Sequence, residues 1–213
     1  MASAGEIKLR IGSIQETKKV TDAMYMISSV KMRRAKREVE STEPYFKALK
    51  AQISELFLYI PETENRYFRA PLAEGQEHRR RGLLVVTSDK GLAGAYNQTA
   101  IKEAEEYMRR HPETVLFVVG ECGRQYFLNK KIKMADDFAY SAAFPTVWEA
   151  RKICTDLLEY YNTERLDEID IIYTDYNNGR PSQCKRNCLL PLDRSRFYSS
   201  DREDTRRDKE FYP

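Results

Sequence analysis

Residues 6–40 read EIKLRIGSIQETKKVTDAMYMISSVKMRRAKREVE, and this stretch decides the architecture of the amino-terminal part of the chain. Between Gly12 and Tyr59 there is no glycine and a single proline, Pro44. Apolar residues recur at helical spacing. They include Ile7, Ile11, Ile14, Met24, Ile27 and Val30. The pattern predicts one helix from Glu6 to about Tyr59, longer than most globular helices and typical of one half of a coiled coil.

The pattern changes period after the helical arm, which we assign to residues 1–61. Residues 62–81 are polar and are predicted to form a linker. Strands are predicted at 83–87, 115–119 and 170–173, helices at 97–110, 121–129 and 146–164, and an edge strand at 189–192. Strands that alternate with helices favour a mainly parallel sheet. The fold class is therefore α/β, with a Rossmann-like domain over residues 82–193 and a charged tail over 194–213.

Composition and charge exclude several classes of protein. The 213 residues carry 36 Lys and Arg against 33 Asp and Glu, a net charge of +3, which disfavours a dedicated nucleic-acid binder. No apolar run is long enough to span a bilayer, and the first residues lack the apolar core of a signal peptide, so we expect a cytoplasmic protein. With four Cys and two His, no metal site and no cofactor are predicted. Cys184 and Cys188 are assigned to packing, with a metal or redox role as the less favoured alternative.

The segment TSDKGLAGAYN follows the first strand, where open α/β sheets usually bind ligands. It fits neither common glycine-rich phosphate-binding fingerprint, because Lys90 precedes the first glycine and no Gly-Lys-Ser/Thr closes the loop. A tight turn between strand and helix is favoured over a ligand-binding or catalytic loop centred on Asp89. The residues singled out are Thr87, Ser88, Asp89, Lys90, Gly91, Leu92, Gly94 and Asn97.

Five cations lie within seven residues of the predicted arm. They are Lys31, Arg33, Arg34, Lys36 and Arg37, which we call the basic cluster. A solvated helix face and a nucleic-acid contact are two possible interpretations, although interleaved aromatic residues are absent. A docking site for an acidic protein surface is the third.

Taken together, these segments resemble the gamma subunit of F-type ATP synthases. Residues 7–35 follow the family pattern IKxRIxSxxxTxKxTxAMxMxxxxKxRRA, the loop carries Ser88 to Leu92, and LLPL follows at 189–192. The motifs occur in the family's order, and the resemblance spans nearly all of residues 6–213. Asp22, Ala93 and Ala95 depart from the residues that the family often has at these positions, so contacts made by those side chains do not carry over.

The resemblance implies a central rotor stalk with no catalytic residue, cofactor or metal of its own. Its partners would be the alpha/beta catalytic hexamer, the epsilon subunit and the membrane c-ring, on the cytoplasmic face of a bacterial plasma membrane. Met24 and the basic cluster would face the hexamer. Family members continue into a long carboxyl-terminal helix near Pro213, so the chain is expected to be either shortened or divergent. An uncovered apolar stripe on the arm would then favour self-association.

Overall fold

A computed structural model describes residues 3–59, 66–68, 80–143, 145–163, 166–175 and 183–193, without the side chains of 56–59. The backbone separates into two compact units. One comprises Met1–Pro61 and Phe197–Pro213, and the other comprises Glu62–Arg196. The predicted tail 194–213 and most of the predicted linker 62–81 lie outside the described residues.

The first unit contains one long helix, α1, which runs from Ala4 to Tyr59 and confirms the helix predicted from Glu6 to about Tyr59. Its amino terminus is closed by a reciprocal pair of hydrogen bonds: the Ser3 amide donates to the Glu6 carboxylate at 2.9 Å, and the Glu6 amide donates to the Ser3 hydroxyl at 3.3 Å. The helix continues through Pro44. At 1.5 Å per residue, its 56 residues extend over about 84 Å.

The apolar stripe of α1 is exposed. Ile7, Ile11, Ile14, Met24 and Ile27 each keep 50–60% of their surface accessible. Side chains of this kind are normally removed from water, since each stabilises the folded state by about 1.5–3 kcal/mol when fully buried. The described residues therefore leave uncovered the stripe that the sequence predicts to need a partner.

The second unit is built on a four-stranded sheet. Its strands are β1 (Arg81–Val86), β2 (Val115–Val119), β3 (Glu168–Asp175) and β4 (Gln183–Leu190). Their order is β2-β1-β3-β4, and only the β3 and β4 pair is antiparallel. The mainly parallel α/β fold predicted from the sequence is confirmed.

Two strand predictions need correction. The third strand is twice as long as predicted, because the polar and charged residues at both ends of Glu168–Asp175 still pair with neighbouring strands. The edge strand begins earlier than predicted: it runs from Gln183 to Leu190, so the prediction at 189–192 covers only its last two residues. Its sequence QCKRNCLL has little apolar alternation, because an edge strand with partly solvated residues has no need of a fully apolar face.

Three helices cover the sheet: α2 (Tyr96–Arg110), α3 (Glu121–Asn129) and α4 (Val147–Asn162). Leu83 and Val85 of β1 point to a core shared with α2 and α3, and Leu84 points to a second core shared with α4. Consecutive residues of β1 thus face opposite layers, as strand geometry requires. The apolar run from residue 82 to 86 reflects burial on both faces.

A local signal fixes the start of α4. The Thr146 hydroxyl accepts from the Glu149 amide at 3.2 Å, while the Thr146 amide donates to the Glu149 carboxylate at 3.1 Å. This capping box satisfies donors that the first helical turn leaves free. Among the described helices, none is long and apolar enough to cross a membrane.

Candidate functional site

The loop that follows β1 begins with a buried threonine. Thr87 is 1% exposed, and its hydroxyl donates to the Val119 carbonyl at 3.0 Å and accepts from the Gly123 amide at 3.0 Å. Gly120 and Gly123 allow this close approach, since a Cβ on Gly120 would lie 2.3 Å from the Thr87 carbonyl oxygen. Gly120 also has a φ of 97°, where side chains are strained. Thr87 therefore joins the end of β1 to the start of α3.

Ser88 and Asn97 close the loop on itself. The Asn97 side chain accepts from the Ser88 amide at 2.9 Å and donates to the Ser88 hydroxyl at 2.8 Å. The Ser88 hydroxyl also lies 2.7 Å from the Lys90 carbonyl, to which it can donate. These contacts hold the first turn of α2 against the end of β1, which matches the predicted turn between strand and helix.

Asp89 connects the loop to two other segments. Its carboxylate accepts from the Glu121 amide at 3.0 Å, from the Ala142 amide at 3.0 Å and from the Ser141 hydroxyl at 2.6 Å. Burial acts to raise the pKa of Asp89, but the hydrogen bonds from Ser141, Ala142, Glu121 and Ala143 outweigh it, so the pKa is lowered. A carboxylate at the amino terminus of α3 is also favoured by the helix dipole. The carboxylate oxygens of Asp89 therefore accept hydrogen bonds from other segments of the same chain.

The tip of the loop is exposed to solvent. Leu92 is 97% accessible and has a φ of 60°, and Gly94 has a φ of 57°. Added Cβ atoms at Gly91 and Gly94 would meet no atom within 4 Å. The eight loop residues singled out from the sequence thus divide into an inner set bonded to the protein and an exposed tip.

The basic cluster and Met24 lie on α1, in the other unit. Met24 is about half exposed. Arg34 pairs with Glu38 at 2.9 Å, and Lys36 pairs with Glu40 at 3.7 Å, each across one helical turn. In the described part of the chain, Lys31, Arg33 and Arg37 have no carboxylate within ion-pair distance. Three of the five cations of the cluster are therefore not compensated on their own helix.

Sequence reasoning missed a group of polar side chains at the end of α2. Asp170 is 7% exposed, and its carboxylate lies together with the Glu168 carboxylate and the Cys188 thiol. Burial raises the pKa of Asp170. Arg81 hydrogen bonds to the His111 ring on the same side of the sheet. No motif joins these residues, because their proximity depends on the pairing of β3 with β4.

The two cysteines that the sequence singled out have different surroundings. Both belong to β4, four residues apart, and neither forms a disulfide. Cys184 packs against the core beneath α2, as the packing assignment predicts. Cys188 lies next to two carboxylates, an environment that the packing assignment did not include.

The chain combines one long helix with a Rossmann-like α/β unit. This is the architecture expected from its resemblance to the gamma subunit of F-type ATP synthases. A sequence model described as ATP synthase matches residues 3–213, and the chain belongs to this family. The ATP synthase gamma chain of Acetivibrio thermocellus is 37% identical over 196 residues, which cover 91% of this chain and 65% of that one. The gamma chain of Caldanaerobacter subterraneus subsp. tengcongensis is 38% identical over 194 residues, with the same coverage of 91% and 65%.

The fold is shared with a solved structure as well. A chain in the cryo-EM structure of the Tetrahymena thermophila mitochondrial ATP synthase central stalk and c-ring has a TM-score of 0.58 at 18% identity, and the match covers 87% of this chain and 80% of that one. The chain spans 65% of the length of the two bacterial relatives.

Proposed function

We propose that this chain acts as the central rotor-stalk (gamma) component of an F-type ATP synthase and couples rotation to catalysis in other subunits. The observation that carries the proposal is α1, a helix of 56 residues whose apolar stripe is exposed. Membership of the ATP synthase family and the gamma-chain name of the bacterial relatives support it.

The physical role of such a helix is to transmit torque. A helix about 84 Å long can reach from one assembly into another. A rotating asymmetric helix changes the affinity of a nucleotide site only by binding each conformation of that site with a different free energy. The catalytic residues then belong to the surrounding subunits, and this chain needs no nucleophile, cofactor or metal for the coupling.

The partners follow from the proposed role. They are the alpha/beta catalytic hexamer around the arm, and the epsilon subunit and membrane c-ring at the α/β unit. Ion flow through the membrane turns the ring, and the arm carries that rotation into the hexamer. The assembly is peripheral, on the cytoplasmic face of the bacterial plasma membrane.

On the arm, Met24 and the basic cluster are the proposed contacts with the hexamer. Lys31, Arg33 and Arg37 have no ion-pair partner among the described residues, so they are available to acidic side chains of another subunit. Exposed charges of this kind contribute mainly to orientation and to the rate of association, and salt screens them. Met24 adds a flexible apolar contact that tolerates a partner surface of irregular shape.

The alternative function is a standalone α/β protein that binds a ligand through residues 87–97. The contacts of that loop favour a structural role. The Thr87 hydroxyl, the Asp89 carboxylate and the Asn97 amide are each engaged by neighbouring segments of the chain. A ligand would have to displace several hydrogen bonds, each with a net contribution of about 0.5–1.5 kcal/mol to stability.

The test is co-expression of the chain with the alpha and beta subunits of a bacterial ATP synthase, followed by affinity purification through a tag on this chain. We expect alpha and beta to co-purify in equal amounts. The variant Lys31→Glu/Arg33→Glu/Arg37→Glu should lose most of the retained hexamer at moderate ionic strength, because it reverses the three uncompensated charges.

A matched control reverses three exposed cations in the other unit: Lys102→Glu/Arg109→Glu/Lys133→Glu. It changes the net charge by the same amount and should retain the hexamer. If the wild-type chain retains neither alpha nor beta, the rotor function is wrong. Equal losses in the two triple variants would mean that the basic cluster is not the contact.

A further inference from the structure

A side-chain contact between Arg81 and His111 joins the first residue of β1 to the end of α2. Nη1 of Arg81 lies 2.7 Å from Nε2 of the His111 ring, and the guanidinium donates to the ring. An imidazole accepts a hydrogen bond only in its neutral form, because both nitrogens of the protonated ring carry hydrogens. The contact therefore depends on the protonation state of His111.

The surrounding structure holds His111 in this place. His111 caps the carboxyl end of α2, and its amide donates to the Tyr107 carbonyl at 3.0 Å. The Thr114 hydroxyl donates to the His111 carbonyl at 2.6 Å. The His111 ring also packs edge-on against the ring of Tyr107, which is 3% exposed, with 4.9 Å between the centroids. The ring therefore cannot turn away from Arg81 without losing its contact with a core residue.

Charged groups of α2 and of three strands act on the His111 ring. They are Arg81 of β1, Arg110 of α2, Glu168 of β3 and Arg186 of β4. Glu168 and the carboxyl end of α2 favour a proton on the ring. Burial and the three arginines outweigh that effect, so the pKa of His111 is lowered from its ordinary value of 6.5.

Among these groups, Arg81 is the cation that a proton on His111 meets directly. Arg110 and Arg186 each pair with a glutamate of α2, Glu106 and Glu103 respectively. Tyr107 stays uncharged, since burial and the nearby Asp170 carboxylate raise its pKa. Protonation of His111 thus removes the acceptor of the Arg81 hydrogen bond and puts two cations in contact.

We propose that the contact between Arg81 and His111 is a pH-sensitive joint, which holds the start of β1 to the end of α2 while the ring is neutral and opens when the ring takes up a proton from solvent. Arg81 also pairs with Glu168 in the register of β1 with β3. Opening of the joint therefore loosens the first residues of the central strand pair. The proposal does not depend on the rotor function.

The first experiment is urea denaturation of the 213-residue chain from about pH 7.5 to about pH 5, the range in which histidine titrates. Unfolding of the α/β unit is followed by the fluorescence of Trp148 on α4, the only tryptophan of the chain. Because the pKa of His111 is lowered in the folded state, the stability that the neutral ring contributes is complete above 6.5 and is lost as pH falls through the lower folded value. We expect the urea midpoint of the wild type to fall over this range.

His111→Gln keeps an acceptor and cannot take up a proton, so it should remove most of the fall in the urea midpoint. His78→Gln replaces the other histidine of the chain and should keep the fall. If His111→Gln shows the same pH dependence as the wild type, the proposal is overturned.

The second measurement follows the His111 ring by NMR, and does not require a variant at His111 to fold. In the wild type, His111 should titrate below 6.5. Arg81→Gln removes the adjacent cation and should raise the pKa of His111. Arg80→Gln is the matched control, because the Arg80 guanidinium lies 3.6 Å from the Asp167 carboxylate, and it should leave the titration of His111 unchanged. A wild-type His111 that titrates at or above 6.5, or a pKa that Arg81→Gln does not raise, also overturns the proposal.

Discussion

Replacing Thr87 by valine tests whether the loop after β1 is a structural joint. The substitution keeps the shape of the side chain and removes only the buried hydroxyl. In the native protein this hydroxyl accepts from the Gly123 amide and donates to the Val119 carbonyl, both at 3.0 Å. We expect Thr87→Val to destabilise the α/β unit.

The expected loss of stability follows from the hydrogen bond that each partner of the Thr87 hydroxyl loses. The Val119 carbonyl keeps a second hydrogen bond, from the Thr87 amide at 2.8 Å. Removing the bond from the Thr87 hydroxyl to this carbonyl therefore costs little stability. The Gly123 amide lies in the first turn of α3, where no preceding helical carbonyl is available, and Thr87 is its acceptor. Leaving that buried donor unsatisfied costs about 1–3 kcal/mol. For a unit of this size, the melting temperature should fall by about 4 °C for each kcal/mol.

The assay is urea denaturation followed by circular dichroism, together with hydrogen exchange of the α3 peptide measured by mass spectrometry. Thr99→Val is the matched control, because the Thr99 hydroxyl is exposed and bonds only to the Ala95 carbonyl within α2. The control should change the free energy of unfolding by less than about 0.5 kcal/mol. If Thr87→Val is as stable as this control, and exchange in α3 is unchanged, the reasoning about the buried hydroxyl is refuted.

Two further predictions concern Asp89 and the arm. Because the pKa of Asp89 is lowered in the folded state, its contribution to stability is present above the ordinary value of 3.8 and is lost as pH falls through the lower folded value. Asp89→Asn should therefore be less stable than the wild type at pH 7, and the difference in the free energy of unfolding should shrink as pH falls below 3.8 in acid-unfolding curves. Exposed Asp136→Asn should follow the wild type throughout. For the arm, sedimentation velocity should detect self-association of the chain through its exposed apolar stripe, and Ile14→Glu should shift it toward monomer. Gln15→Glu adds the same charge at a neighbouring exposed position and should leave the self-association unchanged. A wild-type chain that is monomeric at every concentration would contradict the prediction.

The sequence predicts the local elements well, because their signals are local. The helix at 121–129 and the strand at 115–119 have the predicted limits, since Gly120 separates an apolar run from a helical pattern. The start of α4 follows from the capping box between Thr146 and Glu149. Most of the edge strand was not predicted, because its pairing with β3, and not its own pattern, holds residues 183–188 in the sheet.

The sequence by itself determined the long arm, the order of strands and helices, and the position of the loop after β1, since helical periodicity, apolar runs and glycine positions act over a few residues. Only the tertiary structure decided that Asp89 accepts amides from two segments at least 30 positions further along the chain, and that Cys188 meets Glu168 and Asp170. Such contacts depend on strand register and on helix packing across the sheet, which one stretch of sequence does not encode.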